Sequence, residues 1–307
     1  MATDPAAVEA ELQALTVALQ NLDITKYFGA VGLTVLLYDH LLTFVDEVEF
    51  VWTARLSFPK LIFLAIRYLV PTVLGIYNAF LSGFTDLKWT TQVCRAWISL
   101  GMMLGWFTIG LSNFLVLLRI YAIIPRRHQL VVPTFIFFIV IRATSFAVDV
   151  WTVVEMVPLI QFNDTVQSCE FSSRPNLAGL WVAGLAFEVV IFCVMWWNTL
   201  SRPRNLEANE QVTKMLQHDG IVYFVLLTSL RITNTVLSIV APATLLFVGV
   251  FVIWAGTTIV TSRLVINSRK ATTVSIAEAE DGQRLREVRV DDAEEEEDNH
   301  PSFKRRR

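Results

Sequence analysis

CRAWISLGMMLGWFTIGLSNFLVLLRIY, residues 94–121, decides what kind of protein this chain is. Between Arg95 and Arg119 it carries no charge. That is about 23 residues, or roughly 35 Å of helix at 1.5 Å per residue, enough to cross a bilayer core with some tilt. Gly101, Gly105 and Gly110 are poor helix formers in water, but small residues on a membrane helix let neighbours approach closely. Cys94 stands at one end; Arg119-Ile120-Tyr121, with Pro125, Arg126 and Arg127 behind it, stands at the other. A helix anchored at both ends and thinned for close contact reads as the central post of a bundle. Two roles are open for it, a conformational lever or plain packing.

The rest of the chain agrees on the class. It has 307 residues, 54% of them hydrophobic and 17% charged, with a mean hydropathy of +0.52, well above soluble globular proteins. Backbone groups inside lipid must be satisfied within their own segment, so apolar runs of this length read as helices. Seven are expected, near 24–45, 58–83, 91–121, 130–152, 177–200, 219–241 and 243–266. The last two are parted by little more than Ala241-Pro242, and one helix over Ile221–Ile266 would be about twice the bilayer thickness, so that run must be a hairpin. The expected fold is therefore all-α: a polytopic seven-helix membrane bundle.

Basic residues in short loops orient it. Arg55 and Lys60, Arg126 and Arg127, then Arg202, Arg204 and Lys214 follow the first, third and fifth runs, and Arg263, Arg269 and Lys270 follow the seventh. The other side has only Lys26, Lys88, Arg95 and Arg174. The N-terminus is expected outside and the C-terminus in the cytosol. Residues 1–23 lack a basic region ahead of an apolar core, so they read as an extracellular segment rather than a signal peptide. Within it, Val8, Leu12, Leu15, Leu19 and Leu22 share one side of a mildly amphipathic helix, a lid or a frayed leader. Residues 24–270 form the membrane domain. Residues 271–307, with acids at Asp291, Asp292 and Glu294–Asp298 and a basic end at Lys304–Arg307, are expected to be a disordered cytosolic tail. Thr272, Thr273 and Ser275 are candidate phosphorylation sites there.

Cys94 opens the third helix and Cys169 lies in the long outer loop before the fifth; both face the oxidising side, so a disulfide is expected to pin that loop over the bundle mouth. Cys193, inside the fifth helix, is the spare thiol. The same loop carries Asn163-Asp164-Thr165, a glycosylation sequon. Oxidised cysteines and a sugar place the chain in the plasma membrane or secretory pathway.

The first helix ends in Tyr38-Asp39-His40-Leu41-Leu42-Thr43-Phe44, followed by Asp46-Glu47-Val48-Glu49-Phe50-Val51-Trp52. This block resembles the N-terminal signature of a fungal multi-pass membrane family classified only as a domain of unknown function. Arg67-Tyr68, Leu118-Arg119-Ile120-Tyr121-Ala122, Arg263 and Asn267 resemble it too, over most of residues 24–270. The resemblance implies a seven-helix, receptor-like protein and brings no activity, ligand or catalytic residue. Arg119 and Tyr121 sit where animal rhodopsin-like receptors carry an acid-Arg-Tyr switch, with Leu118 in place of the acid and Val260–Leu264 in place of Asn-Pro-x-x-Tyr. With Asp39 and His40 at the cytosolic end of the first helix, Arg119 and Tyr121 make a candidate cytosolic switch. Asp39, His40, His218 and Asp219 are ligand types that zinc accepts, but a hydrogen-bonded latch is the expected role and no metal is assigned. Residues 243–266 hold no lysine for a retinal Schiff base, so no retinal or other cofactor is expected.

Charges at membrane depth carry the functional reading. Counted from the cytosolic ends of the second, fourth and sixth helices, Arg67, Arg142 and Arg231 fall roughly 9–13 residues in, about 13–20 Å. Glu188 lies at similar depth in the fifth. Each charge costs about 2.5–3.5 kcal/mol at a helix centre, so none should face lipid. One arginine can take Glu188, and Asp149 stands two helical turns from Arg142. Arg231, Asn234, Thr235 and Ser238 share a face, opposite Thr257, Thr258 and Thr261. The expectation is an inward-facing, net-positive pocket of Arg67, Arg142, Glu188, Arg231 and Asn234 for a small anionic or carbonyl-rich ligand; the alternative makes the arginines structural staples. The chain then reads as a receptor-like sensor in the lipid bilayer that signals to a cytosolic protein, with no nucleic-acid partner and no enzymatic activity. A transporter or channel for a small anionic solute is the alternative, although Pro71 and Pro242 do not mark matched broken helices; an intramembrane enzyme is third.

Overall fold

A computed structural model describes residues 5–84, 89–123, 128–165, 167–200 and 210–298. The chain is predominantly helical, an all-α polytopic membrane protein. Its long helices are α1 (Pro5–Leu42), α2 (Phe58–Leu81), α3 (Thr91–Ile123), α4 (His128–Met156), α5 (Ala178–Leu200), α6 (Glu210–Val240) and α7 (Leu246–Asp298). Among the described residues four segments are long and apolar enough to cross a membrane: Phe58–Leu81, Thr91–Leu118, Val132–Leu159 and Ala243–Val274. A fifth is added if Leu12–Leu42 and Phe44–Trp52, bent by 57°, count as one span. In α6 the apolar part is the shorter Phe224–Val240, because the helix begins in polar sequence and buries Arg231.

Pro59 and Pro242 mark element boundaries, while Pro71 and Pro133 lie inside helices. Pro59 sits in the first turn of α2, where its missing N–H has no carbonyl to serve. The hairpin break falls at Ala241-Pro242: α6 stops at Val240, Pro242 is extended, and a turn of 3-10 helix (Ala243–Leu245) leads into α7.

The post of the bundle is α7 rather than α3. It packs on α1, α2, α3 and α6, and Phe251, Ile253, Trp254, Ala255, Val260 and Leu264 are all buried along it. Small and hydroxyl residues let four helices meet one axis: Gly249, Gly256, Thr257, Thr258, Thr261 and Ser262.

Three elements depart from the sequence expectation. Residues 1–23 are not a separate segment in the described part, because α1 continues unbroken from Pro5. Val8, Leu12 and Leu19 stay exposed on that extension, so most of the amphipathic side is unpacked. The stretch from Ala271 is helical through Asp298 instead of disordered; alanine, glutamate and arginine are strong helix formers and prolong α7. The loop between α4 and α5 contains a two-stranded antiparallel hairpin, β1 (Ile160–Asn163) and β2 (Ser168–Phe171), with Phe162 opposite Cys169. The loop bases Arg126, Arg127, Arg202 and Arg204 and the terminal Lys304–Arg307 lie outside the described residues.

Candidate functional site

A cavity of about 190 Å³ opens beneath the hairpin and is reached by side chains of α1 through α7. Its position follows from the Cys94–Cys169 disulfide, which ties the first turn of α3 to β2 at a Cα–Cα distance of 5.6 Å. Cys94 is fully buried, and Ile160, Met156, Leu177 and Trp181 pack around the bridge. Arg95 donates to the carbonyl of Ile160 (3.3 Å) and the Thr91 hydroxyl accepts from the amide of Phe162 (3.3 Å), so β1 is held as well. Gln167, in the left-handed region at φ 52°, brings the hairpin turn to the cavity with Ser168 and Cys169.

The walls are aromatic. Tyr77, Trp97, Trp181 and Trp254 all line the cavity, with Phe80 and Phe251 among others. Tyr77 stacks on Trp97 (4.3 Å between centroids) and donates its hydroxyl to the Trp97 carbonyl (2.7 Å). Trp254 donates to the Thr108 hydroxyl (2.8 Å), which locks α7 to α3. Gly101 is where the Tyr77 hydroxyl sits, so a side chain there would displace it. A Cβ on Gly105 would meet nothing within 4 Å, so this glycine simply widens the cavity.

Two guanidinium groups reach it. Arg142 of α4 donates to the carbonyl of Trp106 (2.8 Å) and lies 4.1 Å from the centre of the Trp106 ring, a cation–π contact. Gly110 leaves the space that this guanidinium fills. Arg231 of α6 is ion-paired through Nε with Glu188 of α5, both nearly inaccessible, and Gly184 leaves room for Nη1. Three expected pocket residues are thus brought together: Arg142 and Arg231 in the lining, Glu188 behind Arg231. Asn234, one turn further, abuts Gly249. Several polar atoms here are enclosed without a hydrogen-bond partner: Nη2 of Arg231, Nδ2 of Asn234, Oε2 of Glu188, Nε1 of Trp106 and the hydroxyls of Thr228, Thr257 and Thr261. Unmade bonds of this kind cost about 1–3 kcal/mol each. Of these, Nη2 of Arg231 and Nε1 of Trp106 belong to lining residues, so the cavity itself offers donors to acceptor atoms.

Arg67 does not join this pocket. It lies at the opposite end of the bundle, paired through Nε with the fully buried Glu47 and donating Nη2 to the Thr43 hydroxyl (2.7 Å) and the His40 carbonyl (3.3 Å). Glu47 also accepts from the Tyr68 hydroxyl and the Trp52 indole, each at 3.0 Å. The chain turns there through a short helix (Phe44–Glu47) and a π turn (Val48–Trp52), and Lys60 closes the turn by donating to the carbonyls of Trp52 (2.9 Å) and Ala54 (2.7 Å). Lys60, counted as a loop charge in the sequence, is buried in this task. Asp149 makes no hydrogen bond to Arg142: it is fully buried and neither carboxylate oxygen has a hydrogen-bond partner, so it acts on Arg142 only through its charge.

The proposed switch residues divide between two places. Asp39 is paired with Arg263 of α7 (2.5 Å), and the His40 ring meets Tyr68 edge-on (5.2 Å). Lys270 and Asp46 (3.5 Å), and Arg269 with the Phe50 carbonyl (3.5 Å), extend this clasp between the bend and α7. Tyr121 packs instead with Leu117 and Phe138, between α3 and α4. The side chains of Arg119, His218 and Asp219 lie outside the described residues. Asn163 ends β1, with Nδ2 donating to Glu170 (2.9 Å) and Oδ1 accepting from the amide of Thr165 (2.9 Å). Cys193 is a free, exposed thiol.

Sequence reasoning gave no role to Glu47, Trp106 or Gly184, and read Gly110 only as a point of close helix approach. Glu47 enters the sequence reading only as part of the family-like block, and only the tertiary fold shows it enclosed.

Among curated proteins none matches the chain. The model of a family of unknown function, DUF6533, matches residues 27–72. That stretch contains the Tyr38–Trp52 block, the π turn, Lys60 and both members of the Glu47–Arg67 pair. The stretches at Leu118–Ala122 and at Arg263 and Asn267 lie outside the match, so what this chain resembles in DUF6533 is the clasped first hairpin of the bundle.

Proposed function

We propose that the chain is a seven-span, receptor-like sensor with its N-terminus outside, taking a small ligand in the cavity under the hairpin and signalling to a cytosolic protein. One observation carries the reading: two guanidinium groups, Arg231 buried and Arg142 half-buried, meet in an aromatic cavity whose roof is pinned by a disulfide. Arginines at this depth cost several kcal/mol unless engaged, and Arg142 has no carboxylate partner. The roof fits the same orientation, since disulfides persist on the oxidising side of a membrane. The Asp39–Arg263 and Asp46–Lys270 pairs at the far end supply contacts that ligand-driven movement of α7 would alter. The plasma membrane or secretory pathway is the compartment that goes with this reading.

Accessibility tests the site. In a Cys193→Ser background, Gly105→Cys places a thiol in the lining, where a Cβ has room. A membrane-impermeant methanethiosulfonate reagent added outside intact cells is expected to modify it. Modification only from the cytosolic side would reverse the orientation, and none from either side would close the cavity.

A transporter for a small anionic solute is the second reading, favoured by the unpartnered Thr228, Asn234, Thr257 and Thr261 along the α6–α7 seam. Accumulation of fluorescent 1-naphthylacetate in sealed proteoliposomes would select it. A changed signal from a fluorophore on Thr272→Cys, without accumulation, selects the receptor.

A further inference from the structure

From the charges and walls of the cavity we infer that its ligand is a monovalent carboxylic acid with a flat aromatic body, bound with the carboxylate inward. The inference rests on the ligand-site reading and adds the chemical class of the ligand. The only charged side chains in the described lining are Arg142 and Arg231. Arg231 already holds Glu188, so the lining arginines and that ion pair leave a balance of one positive charge; Asp149, outside the lining, hydrogen-bonds nothing and acts on Arg142 only through its charge. A monoanion neutralises that balance. A neutral ligand leaves a buried cation, and a dianion leaves a buried negative charge, both penalised where the surroundings have low polarity.

The hydrogen-bonding groups point the same way. Nη2 of Arg231 and Nε1 of Trp106 are enclosed donors without acceptors, both belonging to lining residues. A carboxylate has two oxygens to offer such donors, and an arginine fork matches its plane. The body of the ligand is set by the rest of the lining. Along α3, Trp97 and Gly101 lie toward the disulfide end and Trp106 and Ile109 lie deeper, so the arginine at Trp106 sits below an aromatic neck. Tyr77 and Trp97 are already stacked there, and Trp181 and Trp254 present further ring surface. Flat rings prefer such walls in offset or edge-on contact. A cavity of about 190 Å³ is smaller than drug-sized sites of about 300–1,000 Å³, so a bicyclic acid is near the upper limit.

The test uses three probes with one body and three charges: 1-naphthylacetate, 1-naphthylacetamide and 1-naphthyl phosphate, titrated at pH 8 against the purified full chain. The acetate is expected to bind at least tenfold tighter than either of the others. Arg142→Gln is expected to shrink the gap between acetate and amide to under threefold. Glu188→Gln, which raises the cavity to two positive charges, is expected to move the phosphate-to-acetate ratio at least tenfold toward phosphate. Size-exclusion profiles establish that each variant is folded, and if Glu188→Gln is not, the Arg142→Gln result decides. Equal binding of the three probes, or an unchanged acetate–amide gap in Arg142→Gln, overturns the charge argument and leaves the cavity standing. Binding of dodecanoate in preference to 1-naphthylacetate overturns the aromatic body and favours an acid drawn from lipid. No binding by any of these compounds overturns both this inference and the ligand-site reading, unless Gly105→Cys is labelled from outside, in which case the inference alone fails.

Discussion

Glu47→Ala separates a staple from a ligand site. The Glu47 carboxylate is fully buried and accepts from Arg67, from the Tyr68 hydroxyl and from the Trp52 indole. Without it the Arg67 charge, only 1% exposed, retains the Thr43 hydroxyl and the His40 carbonyl, neither of which carries a charge. Removing one partner of a buried ion pair costs about 3–5 kcal/mol, because the other charge stays enclosed. The lost Tyr68 and Trp52 bonds belong to the same network and do not add in full. The expected loss is thus about 3–5 kcal/mol of unfolding free energy, measured by denaturant titration of the protein in detergent micelles. The control is Glu47→Leu combined with Arg67→Met, which removes both charges and keeps apolar volume. Such replacements of a whole buried pair are often neutral or stabilising, so the double variant is expected to recover at least about 2 kcal/mol over Glu47→Ala. Binding of 1-naphthylacetate by the double variant should match the unaltered chain. A cost under about 1 kcal/mol for Glu47→Ala would refute the staple. So would a double variant as damaged as the sum of its two single changes, or one that folds but no longer binds.

Three further outcomes are expected. Cys94→Ser opens a covalent loop with a sequence separation of 75; chain entropy puts the loss at about 4 kcal/mol, so melting should fall markedly, and an unaltered melt with dithiothreitol having no effect on the parent would refute the bridge. Gly184→Ala would drive a methyl group into the Arg231 guanidinium and is expected to cost about 1–3 kcal/mol, whereas Gly105→Ala, with open space, should be neutral or gain up to about 1 kcal/mol; equal effects in the melting assay would show that neither position is shaped by an arginine. Asp149→Val removes an enclosed carboxylate that makes no hydrogen bond and is expected to stabilise by about 1–3 kcal/mol in the denaturant titration; a loss of similar size would show that its charge holds Arg142 in place.

Much of this fold is legible in the sequence because membrane spans depend on local quantities. An uncharged run near twenty residues long must satisfy its own backbone, so the run over 94–121 is a helix whatever surrounds it. The break at Ala241-Pro242 follows from length and from proline, and the Cys94–Cys169 pairing follows from two thiols expected at the same end of the bundle. Depth is also a local count, and Arg142, Arg231 and Glu188, counted to similar depth, do come together. Direction around the helix axis is a different matter. Which neighbour a side chain meets depends on how every helix is rotated, tilted and packed, and no single segment contains that information. Only the tertiary structure could send Arg67 to Glu47 instead of the shared cavity, turn Arg142 onto Trp106 and leave Asp149 without a hydrogen bond. It alone enclosed Lys60 beneath the π turn and made α7 the post, since both depend on contacts between residues far apart in the chain.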